Sequence, residues 1–189
     1  MKIVCVLGSP RPKGNSATLA RCFCDTAKTL GAKVQTFSLN KLTYRGCQAC
    51  MTCKTTLDKC VLADDLDKVL EAVRRTDILV VASPVYYGDV CGQLKLFIDR
   101  TYSYLAPDYT TNPHPSRLTR GKKLVFILTQ GQPDETQFDD IFSRYSDFFH
   151  WYGFETHLIR VCGVTNAGDV EAHRSAMTLA AETARKMLG

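Results

Sequence analysis

The sequence lacks both a long apolar run and any cluster of like charges. Its 189 residues carry a formal net charge of +5, and the lysines and arginines are scattered in ones and twos. Nothing therefore resembles a transmembrane helix, which needs about 20 apolar residues, or the basic stripe of a nucleic-acid-binding protein. The apolar start, MKIVCVL, is too short for a signal peptide. We expect a cytoplasmic protein that binds neither membranes nor nucleic acids.

Two common phosphate-binding motifs are also missing. A P-loop ends in Gly-Lys-Ser/Thr, but Gly14 is followed by Asn15. The dinucleotide fingerprint G-x-G-x-x-G fails at its second glycine, because Pro10 stands two residues after Gly8. These absences disfavour a nucleotide triphosphatase and a dehydrogenase of the dinucleotide-binding type.

Short apolar runs alternate with amphipathic helical patterns along the chain. Such runs indicate strands buried on both faces of a parallel sheet, and the alternation indicates right-handed βαβ crossovers. The pattern predicts a single α/β domain over residues 1–189, a three-layer sandwich whose five-stranded parallel sheet has the order 2-1-3-4-5. Strands are predicted at 2–7, 33–39, 78–82, 122–128 and 156–161. Helices are predicted at 16–30, from 64 onward, 91–104, 136–152 and 170–188.

The loop after the first strand has the composition of a phosphate site. Ligands of such sheets bind beyond the carboxyl ends of the strands, where the strand order reverses. A helix N-terminus there offers free N–H groups to a phosphate. An ordinary N-capped loop is the alternative, but it does not explain why the loop is cationic as well as polar. The candidate residues are Ser9, Arg11, Gly14, Asn15 and Ser16.

The segment after the third strand carries two adjacent tyrosines, Tyr86 and Tyr87, between Pro84 and Gly88. A flat aromatic cofactor needs a ring to stack against and backbone groups to bond its edge. Tyrosines in this position are otherwise packing residues. Here they are predicted to face a phosphate loop across the place where the strand order reverses, and this favours a flavin. The end of the fourth strand, at 129–132, is the next segment at this edge of the sheet.

Three stretches resemble the flavodoxin-like NAD(P)H-dependent FMN reductases, and more narrowly their iron–sulfur flavoprotein branch. They are GSPRPKGNS at 8–16, GCQACMTCKTTLDKCVLADDL at 46–66 and TDILVVASPVYYGDVCGQLKLFIDR at 76–100. The resemblance implies a flavodoxin-like fold and a bound FMN, in a homodimer or homotetramer. It implies FMN contacts from Ser9, Arg11, Gly14, Asn15, Ser16, Ala17, Pro84, Val85, Tyr86, Tyr87, Gly88, Thr129, Gln130 and Gly131.

Four of the nine cysteines lie within 14 positions, in a Cys-rich loop at 44–62. Cys47, Cys50, Cys53 and Cys60 can converge on one centre, and soft thiolates favour iron–sulfur clusters or zinc. A metal-free loop and a redox disulfide are further alternatives. The resemblance implies a 4Fe-4S cluster on these four cysteines, near the flavin.

A phosphatase is the alternative from a different class. Cys5 and Arg11 have the C-x5-R spacing of low-molecular-weight tyrosine phosphatases. A nucleophilic thiolate must lie at the mouth of the phosphate loop, whereas Cys5 is predicted to lie in the middle of a buried strand. The spacing alone therefore gives this alternative little support.

The resemblance implies an FMN-dependent oxidoreductase. In one form, NAD(P)H reduces the flavin, which passes electrons to a quinone, free flavin or other small acceptor. In the other, the protein is an electron carrier served by a ferredoxin-type partner. The cofactor carries the chemistry in both forms, so no catalytic side chain is predicted.

Overall fold

The computed structural model describes residues 1–189 and contains one six-stranded sheet. The parallel strands follow the order β2-β1-β3-β5-β6, and β4 pairs antiparallel with the end of β3. The predicted order of the five parallel strands is therefore confirmed. The strands are β1 (Lys2–Leu7), β2 (Lys33–Ser38), β3 (Ile78–Tyr86), β4 (Asp89–Val90), β5 (Lys122–Thr129) and β6 (Phe154–Val161).

Six of the seven helices cover the two faces of the sheet, and the short α2 lies in the Cys-rich loop. Alternate residues of β1 divide between two buried clusters: Val4 and Val6 pack with α3, α4 and α5, whereas Ile3 and Cys5 pack with α1, α6 and α7. A strand of this kind is apolar throughout because both faces are covered. None of the helices combines the length and apolarity needed to span a bilayer. The helices are α1 (Asn15–Thr29), α2 (Thr52–Thr55), α3 (Leu66–Arg74), α4 (Gly92–Arg100), α5 (Asp140–Trp151), α6 (Asp169–Ala172) and α7 (Arg174–Leu188).

The prediction of five strands was wrong, because the segment after the third strand is a hairpin rather than a loop. Strand β3 continues to Tyr86 and turns into β4, with Val85 opposite Val90. The Ser83 hydroxyl holds the base of this hairpin, accepting from the Cys91 N–H at 2.9 Å and donating to the Pro84 carbonyl at 2.7 Å.

Three predicted helices differ from the structure in their bounds. The helix predicted at 91–104 ends at Arg100 and continues as a short 3₁₀ segment, where the Thr101 hydroxyl donates to the Ile98 carbonyl at 2.6 Å. Hydroxyls that bond local carbonyls in this way compete with regular helix. The helix predicted at 136–152 begins at Asp140, and the one predicted at 170–188 is interrupted at His173.

Candidate functional site

A cavity of about 170 Å³ lies beyond the carboxyl ends of β1, β3 and β5. It brings together the three segments that the sequence analysis singled out. Ten predicted cofactor residues line it: Ser9, Arg11, Gly14, Asn15, Ser16, Pro84, Val85, Tyr86, Thr129 and Gly131. The turns leaving the first and third parallel strands therefore do face each other, as the strand order requires.

The N-terminus of α1 forms one end of this cavity and has unused donors. The backbone N–H groups of Asn15, Ser16 and Ala17 donate no hydrogen bond within the protein. The Ser16 side chain is only 1% exposed, and its Oγ has no hydrogen-bond partner. Buried polar atoms are almost always paired, and a helix N-terminus favours negative charge. The donor set fits a phosphate group.

Gly14 is required by the tight fold of this loop. A Cβ placed on Gly14 would lie 2.6 Å from the Ser9 Oγ and 3.2 Å from the Arg11 carbonyl oxygen. The Gly14 N–H also donates to that carbonyl at 3.0 Å. The loop therefore closes on itself at Gly14, where there is no room for a side chain.

A loop that the sequence analysis missed completes the cavity wall. Val164 and Thr165, which follow β6, line the cavity, and Arg11 Nη1 donates to the Thr165 carbonyl at 3.1 Å. The Asn15 side chain also faces this loop, donating to the Asn166 carbonyl at 2.9 Å and accepting from the Val170 N–H at 3.2 Å. Thus the Asn15 side chain holds two segments together, and its backbone N–H remains free for a ligand.

The hairpin formed by β3 and β4 makes the other end of the cavity. Tyr86 lines the cavity and is partly exposed, whereas Tyr87 is fully exposed at the tip of the hairpin and does not line it. Tyr87 and Gly88 both have positive φ, 50° and 73°, which is the pattern of a type I′ two-residue turn. The predicted residue Gly88 instead packs near Phe138, 3.2 Å from where a Cβ would lie.

The conformation of Tyr87 gives a prediction about stability. A bulky residue with positive φ is strained, and Asn-Gly is a preferred pair for this turn. We expect Tyr87→Asn to raise the free energy of unfolding of the ligand-free protein by about 1 kcal/mol, measured by urea denaturation. Tyr86→Asn, at a position with ordinary strand geometry, is the control and should bring no gain. A destabilised Tyr87→Asn protein would contradict the interpretation of the turn.

Gln130, another predicted cofactor residue, supports the site from behind. Its side chain is buried, and its oxygen accepts from Arg160 Nη2 at 2.8 Å. Its amide nitrogen donates to the carbonyls of Gln132 and Asp134 at 3.0 and 3.1 Å. These bonds fix the loop that follows β5, so Gln130 shapes the cavity wall without lining it. Ala17 likewise lies outside the cavity lining and faces a neighbouring surface pocket.

Cys5 does not have the properties of a phosphatase nucleophile. It lies in the middle of β1 and is 1% exposed. A side-chain hydrogen bond with Cys24, followed by burial, raises the pKa of the Cys5 thiol well above its ordinary value. A neutral, buried thiol cannot attack a phosphate ester, so the phosphatase alternative has no support.

The four cysteines of the Cys-rich loop line a second cavity, of about 210 Å³. Cys47 and Cys50 are exposed, and Cys53 and Cys60 are half-buried. Nowhere in the structure do three or more histidine, cysteine, aspartate or glutamate side chains converge to hold a single metal ion. The four thiols thus share one cavity. The predicted cysteine set is brought together, and a 4Fe-4S cluster on it remains a prediction.

Three cations, the buried Lys54 and Arg100 and the half-buried Arg117, hold the Cys-rich loop in place. Lys54 Nζ donates to the carbonyls of Tyr102 and Leu105 at 2.6 and 2.8 Å. Arg117 Nη1 donates to the Cys53 carbonyl at 2.8 Å. Arg100 pairs with Asp64, and its Nη1 donates to the Asp64 Oδ2 at 2.9 Å. The loop is therefore fixed by its own Lys54 and by two arginines of its surroundings, although most of it has no regular secondary structure.

The pair of Arg100 and Asp64 gives a second prediction about stability. Burial alone raises the pKa of Asp64, but hydrogen bonds from Arg100 and the Arg45 N–H outweigh it, so this pKa lies below its ordinary value. A lowered folded-state pKa adds stability above the unfolded pKa of about 3.9 and loses it as the pH falls through the folded value.

We expect Asp64→Asn to lower the free energy of unfolding at pH 7 by about 3 kcal/mol, because the variant leaves a buried guanidinium unpaired. The difference from the unmodified protein should shrink below about pH 4. Denaturant unfolding at a series of pH values measures both effects. Asp25→Asn removes an exposed surface pair with Lys28 and serves as a control with little expected change. A pH-independent difference for Asp64→Asn would contradict this explanation.

Helix α4 connects the two cavities. It begins two residues after the hairpin that borders the first cavity, and its last residue, Arg100, lines the second. Arg100 is eight residues beyond Gly92, which is about 12 Å along a helix axis at 1.5 Å per residue. The Cys-rich loop packs along this helix, since the Tyr44 hydroxyl donates to the Gln93 carbonyl at 2.8 Å.

Comparison with known proteins finds related sequences and folds. The family model described as NADPH-dependent FMN reductase matches residues 1–139. An iron-sulfur flavoprotein of Methanocaldococcus jannaschii is 36% identical over 101 residues, which are 53% of this chain and 52% of that protein. The chain thus spans about half the length of the curated relatives that it matches.

Solved structures share the fold along nearly the whole chain. An FMN-dependent NADH-azoreductase from Bacillus anthracis, in complex with FMN, has a TM-score of 0.77 at 15% identity and is covered completely, as is this chain. An NAD(P)H:quinone oxidoreductase from Methanothermobacter marburgensis has a TM-score of 0.71 at 16% identity, with coverage of 100% of this chain and 98% of that one. The flavodoxin-like fold is therefore confirmed.

Proposed function

Because the chain belongs to the NADPH-dependent FMN reductase family, we propose that it binds FMN and is an NAD(P)H-dependent oxidoreductase. The observation that carries the proposal is the buried Ser16 hydroxyl, which lines the first cavity without a partner, at a helix N-terminus whose first three N–H groups are free. These donors match the charge and geometry of a phosphate. The hairpin lies at the other end of the same cavity. A phosphorylated aromatic cofactor needs a second binding surface there, for its ring.

Each wall of the first cavity has a role in this proposal. The phosphate is held by Ser9, Arg11, Ser16 and the N–H groups of Asn15, Ser16 and Ala17. The flavin is held by the hairpin and the end of β5, through Pro84, Val85, Tyr86, Thr129 and Gly131. The cavity of about 170 Å³ is smaller than a typical enclosed ligand pocket of about 300 to 1,000 Å³, so part of the cofactor is expected to stay open to a substrate.

Bound FMN would supply the redox chemistry, accepting a hydride from NAD(P)H and passing on one or two electrons. The side chains of this protein bind and orient that cofactor, and none of those lining the cavity is proposed as an acid or base. The acceptor is proposed to be a small molecule such as a quinone or free flavin. A ferredoxin-type donor is proposed for the case in which the second cavity carries a cluster.

We also propose a 4Fe-4S cluster in the second cavity. All four cysteines line it, and a cubane takes one thiolate on each iron, so its ligands surround a volume. Zinc is the alternative for four thiolates, but structural zinc sites more often use two separated Cys-x-x-Cys pairs. The buried Arg100, with an unpaired Nε, adds a positive donor that suits an anionic cluster. The curated relative named as an iron-sulfur flavoprotein supports the same proposal.

We further propose that the protein is a homodimer or homotetramer in the cytoplasm and that residues 1–189 form one domain. Exposed aromatic side chains support the association of subunits, since Tyr87 at the tip of the hairpin and Phe148 and Trp151 on α5 all face solvent in the single chain. Aromatic residues are enriched in the cores of protein interfaces.

Anaerobic purification followed by a visible spectrum and metal analysis tests both cofactors. FMN bands that NADH or NADPH bleaches support the reductase, and iron with broad absorbance beneath those bands supports the cluster. Protein that stays colourless after FMN is added contradicts the flavin proposal. Flavin without iron, or with zinc in its place, contradicts only the cluster proposal.

A further inference from the structure

The second cavity, lined by Cys47, Cys50, Cys53 and Cys60, is called the cysteine cavity below. Arg100 is the one cation among the residues that line it. It is the last residue of α4 and is 1% exposed, and its side chain is fully buried in the structure. Lys54 and Arg117 also hold the Cys-rich loop, but neither lines the cavity. Tethering the loop therefore does not require a cation inside the cavity, and the position of Arg100 needs a separate explanation.

The hydrogen bonds of Arg100 account for its two terminal nitrogens only. Nη1 donates to the Arg45 carbonyl at 2.8 Å and to Asp64, and Nη2 donates to the Leu62 carbonyl at 3.1 Å and to Asp64. The Nε atom is buried and has no partner. Leaving such a donor unpaired costs about 1 to 3 kcal/mol. Asp64 and the two carbonyls thus pair both terminal nitrogens of the guanidinium group, and Nε alone is left without an acceptor.

Cys60 is the cysteine that lies nearest along the chain to the partners of Arg100, because the Leu62 carbonyl and the Asp64 side chain follow it by two and four residues, and both Cys60 and Arg100 line the cavity. A neutral thiol is a weak acceptor, whereas a thiolate ligand of a cluster is a much stronger one. Because the unpaired Nε belongs to a buried side chain that lines the same cavity as the four cysteines, a cluster bound there would offer it a sulfur acceptor.

We propose that the Arg100 Nε–H donates a hydrogen bond to a sulfur at the Cys60 side of the proposed cluster and thereby tunes it. Arg100 is a positioning residue in this scheme, because it touches ligand sulfur and no reacting atom of a substrate. The inference rests on the proposed cluster. Hydrogen bonds to the sulfurs are among the factors that set the reduction potential of such clusters, since they stabilise the more negative, reduced form.

The experiment compares the unmodified protein with Arg100→Lys and Arg117→Lys after anaerobic reconstitution with iron and sulfide. Iron per chain is measured, FMN retention reports on the fold, and the reduction potential of the cluster is followed by EPR during titration with dithionite. Arg117→Lys is the matched control, because Arg117 bonds the same loop through the Cys53 carbonyl from outside the cavity lining.

For Arg100→Lys we expect a shift of the potential to a more negative value, with FMN retained. A tenfold weaker preference for the reduced cluster corresponds to about 59 mV for a one-electron couple. Arg117→Lys should leave the potential unchanged. Equal potentials for the unmodified protein and Arg100→Lys overturn the inference while the cluster stands. An unmodified protein that takes up no iron overturns the proposed cluster, and the inference with it.

A second measurement needs no substitution at Arg100. The protein is prepared with ¹⁵N-labelled arginine, and the reduced cluster is examined by pulsed EPR for coupling to a ¹⁵N nucleus. We expect one coupled nitrogen, which persists in Arg117→Lys. The absence of any arginine coupling in protein that contains the cluster overturns the inference, even if Arg100→Lys fails to fold.

Discussion

Gly14→Val is expected to weaken FMN binding by about 100-fold. A Cβ at this position would meet the Ser9 Oγ at 2.6 Å and the Arg11 carbonyl oxygen at 3.2 Å, so the loop must open to admit the valine. Opening it moves the free N–H groups and the Ser16 hydroxyl away from the phosphate. Losing one or two hydrogen bonds to a charged group costs about 2.7 kcal/mol, which is about 100-fold in affinity. Quenching of FMN fluorescence measures the change.

Gly92→Ala is the matched control for this substitution. Gly92 lies at the start of α4, two residues after the hairpin that borders the same cavity, and a Cβ on it would meet no atom within 4 Å. We expect its FMN affinity to equal that of the unmodified protein. If Gly14→Val binds FMN as tightly as Gly92→Ala does, the loop at 8–16 is not the phosphate site.

Cys53→Ser is expected to lower the iron content of the reconstituted protein at least tenfold. Changes in groups that only surround metal ligands already cost about 10- to 100-fold in affinity, and this change removes a proposed ligand. Cys53 is half-buried in the cavity wall, and Arg117 holds its carbonyl in place. A serine therefore occupies the same position without the soft sulfur ligand that iron–sulfur clusters require.

Cys162→Ser controls for the loss of a cysteine as such. Cys162 is also half-buried, but it follows β6 and does not line the cysteine cavity. It should keep its full iron content, and both variants should retain FMN. Equal iron in the two variants would show that iron binds elsewhere or only adventitiously.

The sequence predicts the framework well because burial on both faces leaves a plain signature. Runs such as Ile78 to Ala82 are apolar at every position, which only a covered parallel strand explains. The strand order then fixes which loops meet. For this reason ten of the predicted cofactor residues line one cavity, although they come from three separate segments of the chain.

The details that the sequence did not predict depend on tertiary contacts. Tyrosine is unusual at a turn position with positive φ, so Gly88 was the only residue of the turn that indicated a hairpin in the sequence. Thr165 enters the cavity because Asp169 accepts its backbone N–H at 2.9 Å and fixes the loop after β6. The unpaired Nε of Arg100 likewise depends on which partners its other nitrogens find. No local pattern carries this information.

The most direct test of the central claim compares FMN with riboflavin as ligands of the unmodified protein. The two differ only in the phosphate, which the account assigns to the N-terminus of α1 and the Ser16 hydroxyl. Fluorescence titration should show FMN bound at least about 100-fold more tightly than riboflavin, since charge-assisted hydrogen bonds are the stronger class. Equal affinities for the two, or no binding of FMN at all, would contradict the account.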